Sequence, residues 1–182
     1  MKNIINDPLL MIGKAITIFL QAMMALGAVV LAVLTPALLF FRDNMVAGMD
    51  AAEKATVLAL PLGLLAGVMM IGLIILVLLF FFFDRLRRII GTVGEGDPFL
   101  PANAQRLSMM AWLMLGAQVL LAPASAIGIQ LMQYADEAHE LNAEVDGGGI
   151  DASGILLVIL LFILARVFRK GTEMREDLEG TV

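Results

Sequence analysis

Along the chain, apolar stretches alternate with short polar ones four times. A polar start over 1–14 gives way to the uncharged run 15–41, and a polar link over 42–56 leads to a second uncharged run, 57–83, which closes on Phe80, Phe81, Phe82 and Phe83. The third run, 107–132, is uncharged but holds Gln118, Gln130 and Pro123. The fourth is shortest: only 155–165 is free of charge, and it reaches spanning length as 150–168 when Asp151 and Arg166 sit at the headgroups. A spanning helix needs about 20 apolar residues, whereas the apolar part of a secretory signal is about 7–15 residues long. The pattern therefore predicts four transmembrane helices in two hairpins, the first retained, with a connecting loop at 84–106 and a tail at 169–182. Pro101 and Asn103 mark the start of the third helix, and Trp112 lies near an interface.

Composition agrees with this pattern. The 182 residues are 60% hydrophobic and 16% charged, with a mean hydropathy of +0.93, against about 45–50% apolar and 25% charged residues in soluble domains. The expected fold is a single all-α, polytopic membrane domain, with the lipid bilayer as its first partner. Soluble enzymes and nucleic-acid-binding domains do not have this composition, and a net charge of −5 disfavours direct contact with nucleic acid. With no cysteine, disulfides, thiolate metal sites and cysteine nucleophiles are excluded.

Charge sets the expected orientation, because positive residues stay on the cytoplasmic side. Both termini inside places Lys2, Lys14, Arg85, Arg87, Arg88, Arg106, Arg166, Arg169, Lys170 and Arg175 in the cytoplasm and leaves only Arg42 and Lys54 outside. The expected location is an inner (cytoplasmic) membrane. Spans two and four both run into a basic segment, Arg85 to Arg88 and Arg166 to Arg169, a faint internal echo that positive-inside anchoring explains without duplication.

Chemistry is sparse. The single histidine, His139, lies in the acidic outer segment with Asp136, Glu137, Glu140, Glu144 and Asp146, ahead of a Gly147-Gly148-Gly149 hinge. The segment reads as a solvated acidic face, with hard-cation binding as the functional alternative. The thirteen methionines are dispersed and suit packing better than soft-metal transport. Gln118 and Gln130 are candidates for polar packing between helices, or for lining a conduit. Gly63 and Gly67 would let another helix approach closely. No span interior carries an acid, a base or a histidine, and the glycines between Gly91 and Gly96 lack the Lys and Ser/Thr of a phosphate-binding loop. No catalytic residue, metal site or cofactor is expected, and the chain is expected not to be an enzyme.

The candidate sites cluster at the cytoplasmic end. Leu86, Ile89, Ile90 and Val93 form one amphipathic stripe, and Phe168, Gly171, Met174 and Leu178 form another. They are expected either to lie on headgroups or to dock a cytosolic partner, with Arg85, Arg88, Arg169 and Arg175 supplying charge. Asp84 and Arg166 leave the membrane at similar depth and are expected to pair. Between the hairpins, Gly96 and Pro98 make a turn, Asp97 caps, Phe99 inserts at the interface and Pro101 starts the next span, with Asn103 and Arg106 following.

The runs Gly96-Asp-Pro-Phe-Leu-Pro-Ala-Asn-Ala-Gln-Arg-Leu107 and Leu164-Ala-Arg-Val-Phe-Arg-Lys-Gly-Thr-Glu-Met-Arg-Glu-Asp-Leu-Glu-Gly-Thr-Val182 resemble the signatures of domain-of-unknown-function family 2975. The resemblance implies a four-span bacterial membrane protein, commonly encoded beside a small Cro/repressor-type helix-turn-helix regulator. It therefore implies a membrane sensor or tether for a cytosolic transcription regulator, and it brings no catalytic residues. The alternatives from other classes are a small oligomeric transporter or channel subunit, which would assemble as a homo-oligomer, and a structural or immunity-type membrane protein.

Overall fold

The computed structural model describes residues 8–45, 47–50, 54, 61–96, 98–139 and 151–179. Four long helices carry the described chain: α1, Pro8–Met45; α2, Leu62–Gly94; α3, Pro101–His139; and α4, Ala152–Glu179. Each is long and apolar enough to cross a membrane, and the described residues contain no strand. This is what hydrocarbon demands, because a helix pairs its backbone N–H and C=O groups internally where no water is at hand. Even the shortest, α4 with 28 residues, is about 42 Å long at 1.5 Å per residue, against a hydrocarbon core of about 30 Å. The helices therefore reach beyond the hydrocarbon core.

Successive helices run antiparallel and pack on one another in sequence order, α1 on α2, α2 on α3 and α3 on α4. Small residues mark the approaches. Gly27 of α1 faces Leu76 of α2, Gly72 of α2 faces Leu31 of α1, and Gly116 of α3 faces Leu78 of α2. On α4, Gly154 lies directly against the Gln118 amide of α3. Among the described residues a continuous core lies toward one end of the helices: Phe82 and Ile89 of α2, Leu107, Met110 and Ala111 of α3, and Leu161 and Ala165 of α4. Large apolar side chains cover the outside, among them Phe19, Phe40, Trp112 and Ile159. In water they would be a liability, but a lipid tail is as apolar as a leucine, so they form the lipid-facing surface.

Pro36 and Pro123 sit inside α1 and α3. Nearby hydroxyls bond back to the chain, Thr35 to the Leu31 carbonyl at 2.7 Å and Ser125 to the Ala122 carbonyl at 2.9 Å. Such back-bonding is a polar side chain's local solution in an apolar medium.

Two expectations about element limits are corrected. The loop expected over 84–106 is a short linker, because α2 continues unbroken to Gly94 and α3 starts at Pro101. The stripe after span two is thus the last turns of α2, with Ile89 in the core, Leu86 and Val93 packed against it, and Ile90 facing Gly13 of α1. It lies on its neighbouring helices and not flat on headgroups. The fourth span starts at Ala152, with Asp151 outside the helix as its cap: its carboxylate accepts from the Ser153 N–H at 3.1 Å and from the Ser153 hydroxyl, and its own carbonyl accepts from the Ile155 N–H at 3.1 Å. The hydroxyl bond and then the backbone bond hold the Asp151 carboxyl below its ordinary pKa. Of the acidic segment, Asp136, Glu137 and His139 fall on the last turns of α3, while Glu140, Glu144, Asp146 and the glycine hinge lie outside the described residues.

Candidate functional site at the basic end of the helices

The linker between α2 and α3 is built from turn chemistry. Gly96 adopts φ 88°, a left-handed conformation that glycine accepts at no steric cost, just after the last turn of α2. The Glu95 and Gly96 N–H groups donate back to Gly91 and Val93 carbonyls at 3.2 and 3.1 Å, closing that turn. Asp97, the expected cap, lies outside the described residues.

Asn103 organises the junction of linker and helices. It is fully buried at 0% exposure. Its Nδ2 donates to the Pro98 carbonyl at 2.9 Å and to Thr92 Oγ1 at 2.8 Å, and its Oδ1 accepts from Arg106 Nη1 at 2.9 Å. The Thr92 hydroxyl in turn donates to the Ile89 carbonyl at 2.9 Å. One side chain thus ties α2, the linker and α3 together, and each polar group it buries has a partner, the condition under which buried polarity is tolerated.

The fourth helix closes on the same linker. Gly171 lets the Phe99 ring lie against the α4 backbone, where a Cβ would come within 2.7 Å of the ring. Phe99 also meets Phe168, with ring centroids 5.4 Å apart. Thr172 Oγ1 lies 2.9 Å from the Phe168 carbonyl and 3.2 Å from the Phe99 carbonyl. Phe99 therefore seats the linker on α4, and the Phe168–Gly171 half of the tail stripe is covered. Met174 stays exposed.

The expected Asp84–Arg166 pair does not form. Asp84 is buried on α2 and accepts from Arg88 Nε at 2.9 Å and Arg87 Nη2 at 3.4 Å, within its own helix. The pairing follows from the i,i+3 and i,i+4 geometry of a helix, which brings these groups together locally. Arg166 instead lines a cleft of about 490 Å³ between α3 and α4, together with Ser108, Phe162, Arg169 and Lys170. Arg85 lies with Arg106 on a smaller cleft of about 210 Å³, and its Nε is buried without a hydrogen-bond partner.

Gln118 is buried at the α3–α4 contact, whereas Gln130 is exposed. Twelve residues of α3 separate them, about 120° around a helix with 3.6 residues per turn, so they share no common face. At the tip, Pro101, Ala104 and Gln105 of α3 face Arg169, Thr172 and Glu176 of α4 across a groove of about 310 Å³. Arg175 is exposed on the same tail. The structural roles of Thr92, Gly154, Gly171 and Thr172 carried no motif by which the sequence could have shown them.

The family model for a protein of unknown function (DUF2975) matches residues 44–182, covering α2, α3, α4 and the linker that joins them. No curated protein and no solved structure matches the chain. The match spans about three quarters of the chain, and the chain belongs to the DUF2975 family.

Proposed function

We propose that this integral membrane protein is a non-enzymatic tether or sensor that holds a cytosolic helix-turn-helix regulator at the groove where α3 begins and α4 ends. One observation carries the reading: the linker is pinned to α2, α3 and α4 by Asn103, Phe99 and Thr172, so the tip groove is a preorganised surface rather than a loose loop. A groove held by three spans responds to any change in how those spans pack. Arg169, Glu173 and Glu176 line it, and with Glu173 paired to Lys170 it is Glu176 that complements the basic face with which a DNA-binding protein meets phosphates. A regulator engaged there by that face is withheld from DNA, and a change of span packing that weakens the contact shifts it back to DNA by mass action. The Lys and Arg distribution supports placing this end in the cytoplasm.

The test is co-expression with a small Cro/repressor-type helix-turn-helix protein, the kind of partner that the family resemblance implies, followed by purification of the membrane protein in mild detergent. Recovery of the regulator with the native chain, lost with Gln105→Arg or Glu176→Arg, is the expected result. Cutting the tail after Lys170 is a poorer probe, because it also removes Gly171 and Thr172, which seat the linker. Absence of the regulator from the native preparation overturns the reading.

A further inference from the structure

We propose that the cleft between α3 and α4 at the basic end is a binding site for the phosphate of an anionic phospholipid. Arg166, Arg169 and Lys170 all line it, at i, i+3 and i+4 on one face of α4. Lys170 is paired with Glu173 at 3.1 Å, which also lines the cleft. Arg166 and Arg169 have no acidic partner among the described residues, leaving two guanidiniums over the opening. A guanidinium at the end of a span favours phosphate, whose oxygens accept its planar fork of donors.

The order of groups along the cleft matches the order of groups in a phospholipid. Deepest in the lining is Phe162, whose ring meets Trp112 edge to face at 5.4 Å just outside the cleft, with Trp112 largely exposed on the lipid-facing surface. One helical turn nearer the end, about 6 Å by the helical rise, come Ser108 on α3 and Arg166 on α4. Arg169 and Lys170 lie a further turn out. An acyl chain would lie along the two aromatic rings, the glycerol region beside the Ser108 hydroxyl, and the phosphate between Arg166 and Arg169. A free phosphate ion would use only the outer part of this ladder, so the apolar floor favours a lipid. Basic clefts between spans at headgroup level are a recurrent setting for lipid phosphates. The cleft shares Arg169 and Glu173 with the tip groove, whereas Arg166, Lys170, Ser108 and Phe162 belong to the cleft alone, so Arg166→Ala by itself reads the lipid site without touching the docking groove.

The test is native mass spectrometry of the full chain in detergent, titrated separately with cardiolipin, phosphatidylglycerol and phosphatidylethanolamine. The expected result is preferential binding of the two anionic lipids, weakened about tenfold or more by Arg166→Ala with Arg169→Ala. Lys14→Ala with Arg87→Ala, which removes equal charge at the same end outside this cleft, is expected to leave binding unchanged. Arg166→Lys with Arg169→Lys keeps the charge and is expected to bind with intermediate affinity, separating loss of the site from loss of the fold. Equal binding of all three lipids, equal weakening by the control pair, or displacement of lipid by millimolar inorganic phosphate overturns the proposal.

Discussion

The two hairpins share topology and differ in how they are held. In α1–α2 the contacts are leucine and isoleucine ends lying against glycines, as at Gly13, Gly27 and Gly72, and the two polar groups that α1 buries, Thr17 and Thr35, bond to α1's own carbonyls. In α3–α4 the contact is specific: Gln118 against Gly154, Phe99 against Gly171, Trp112 on Phe162, and a Thr172 hydroxyl reaching the linker. The core shared by α2, α3 and α4 contains no α1 residue, and the family match likewise begins at residue 44, where α1 is ending. Apolar contact alone discriminates weakly in lipid, because tails compete for the same surface, whereas shape and hydrogen bonds do not have that competitor. The three-helix unit is where the sequence specifies one geometry, and α1 is a flank laid against it.

Filling the glycines is the strongest test of this contrast. Gly154→Leu places a side chain where the Gln118 amide lies, and Gly171→Leu places one where Phe99 lies. Each is expected to lower stability by about 3 kcal/mol, the upper range for overpacking, read as the midpoint of unfolding in detergent. Gly27→Ala in the other hairpin meets only the Leu76 methyls, Cδ1 at 3.1 Å and Cδ2 at 3.8 Å, a flexible end that can rotate, and is expected to change stability by less than about 1 kcal/mol. Equal sensitivity of the two hairpins would remove the distinction.

Next in size is Asn103→Leu, which strips partners from Thr92, Arg106 and the Pro98 carbonyl. The expected cost is about 1–3 kcal/mol, accompanied by faster proteolysis at the linker. An unchanged proteolysis pattern would show that the linker is held by Phe99 and Thr172 alone.

Charge exchange at Asp84 probes the α2 side. Asp84→Arg is expected to destabilise by about 1 kcal/mol or more, with recovery on adding Arg88→Asp and none on adding Arg166→Asp, because Asp84 bonds within its own helix. Rescue by the Arg166 exchange would restore the pairing that depth alone suggests.

The smallest effect is a pH dependence at the far end of α4. The folded state holds Asp151 below its ordinary pKa, so the carboxylate stabilises at neutral pH and loses that contribution as pH falls below about 4 and through the lowered value. The gap in thermal midpoint between the native chain and Asp151→Ala is expected to be constant above about pH 6 and to close in acid. A gap that persists in acid would place the cap in the backbone rather than the carboxylate.

Four membrane-crossing helices, a turn at Gly96 and Pro98 and a third helix opening at Pro101 are all legible in the amino-acid order, and the Gly96–Leu107 and tail signatures carry the family. These are local properties: a run of apolar residues is long enough to span or it is not, and a left-handed turn needs glycine wherever it sits. Which helix faces meet was settled only by packing. Met109 is exposed and Met110 buried, and Trp112 faces outward while Ala111 is in the core, although nothing in their polarity separates them. In water, hydrophobic periodicity would mark the inward face, but in a bilayer the lipid-facing and helix-facing sides are both apolar, so the period carries no sign. For the same reason the stripe after span two has the pattern of an amphipathic surface, although its apolar side is covered by α1 and by the shared core. The surroundings of Asp84 and Arg166 were equally beyond reach, since depth in the membrane is shared by every group at one level and only rotation about the helix axis separates a salt bridge within α2 from a cleft between α3 and α4.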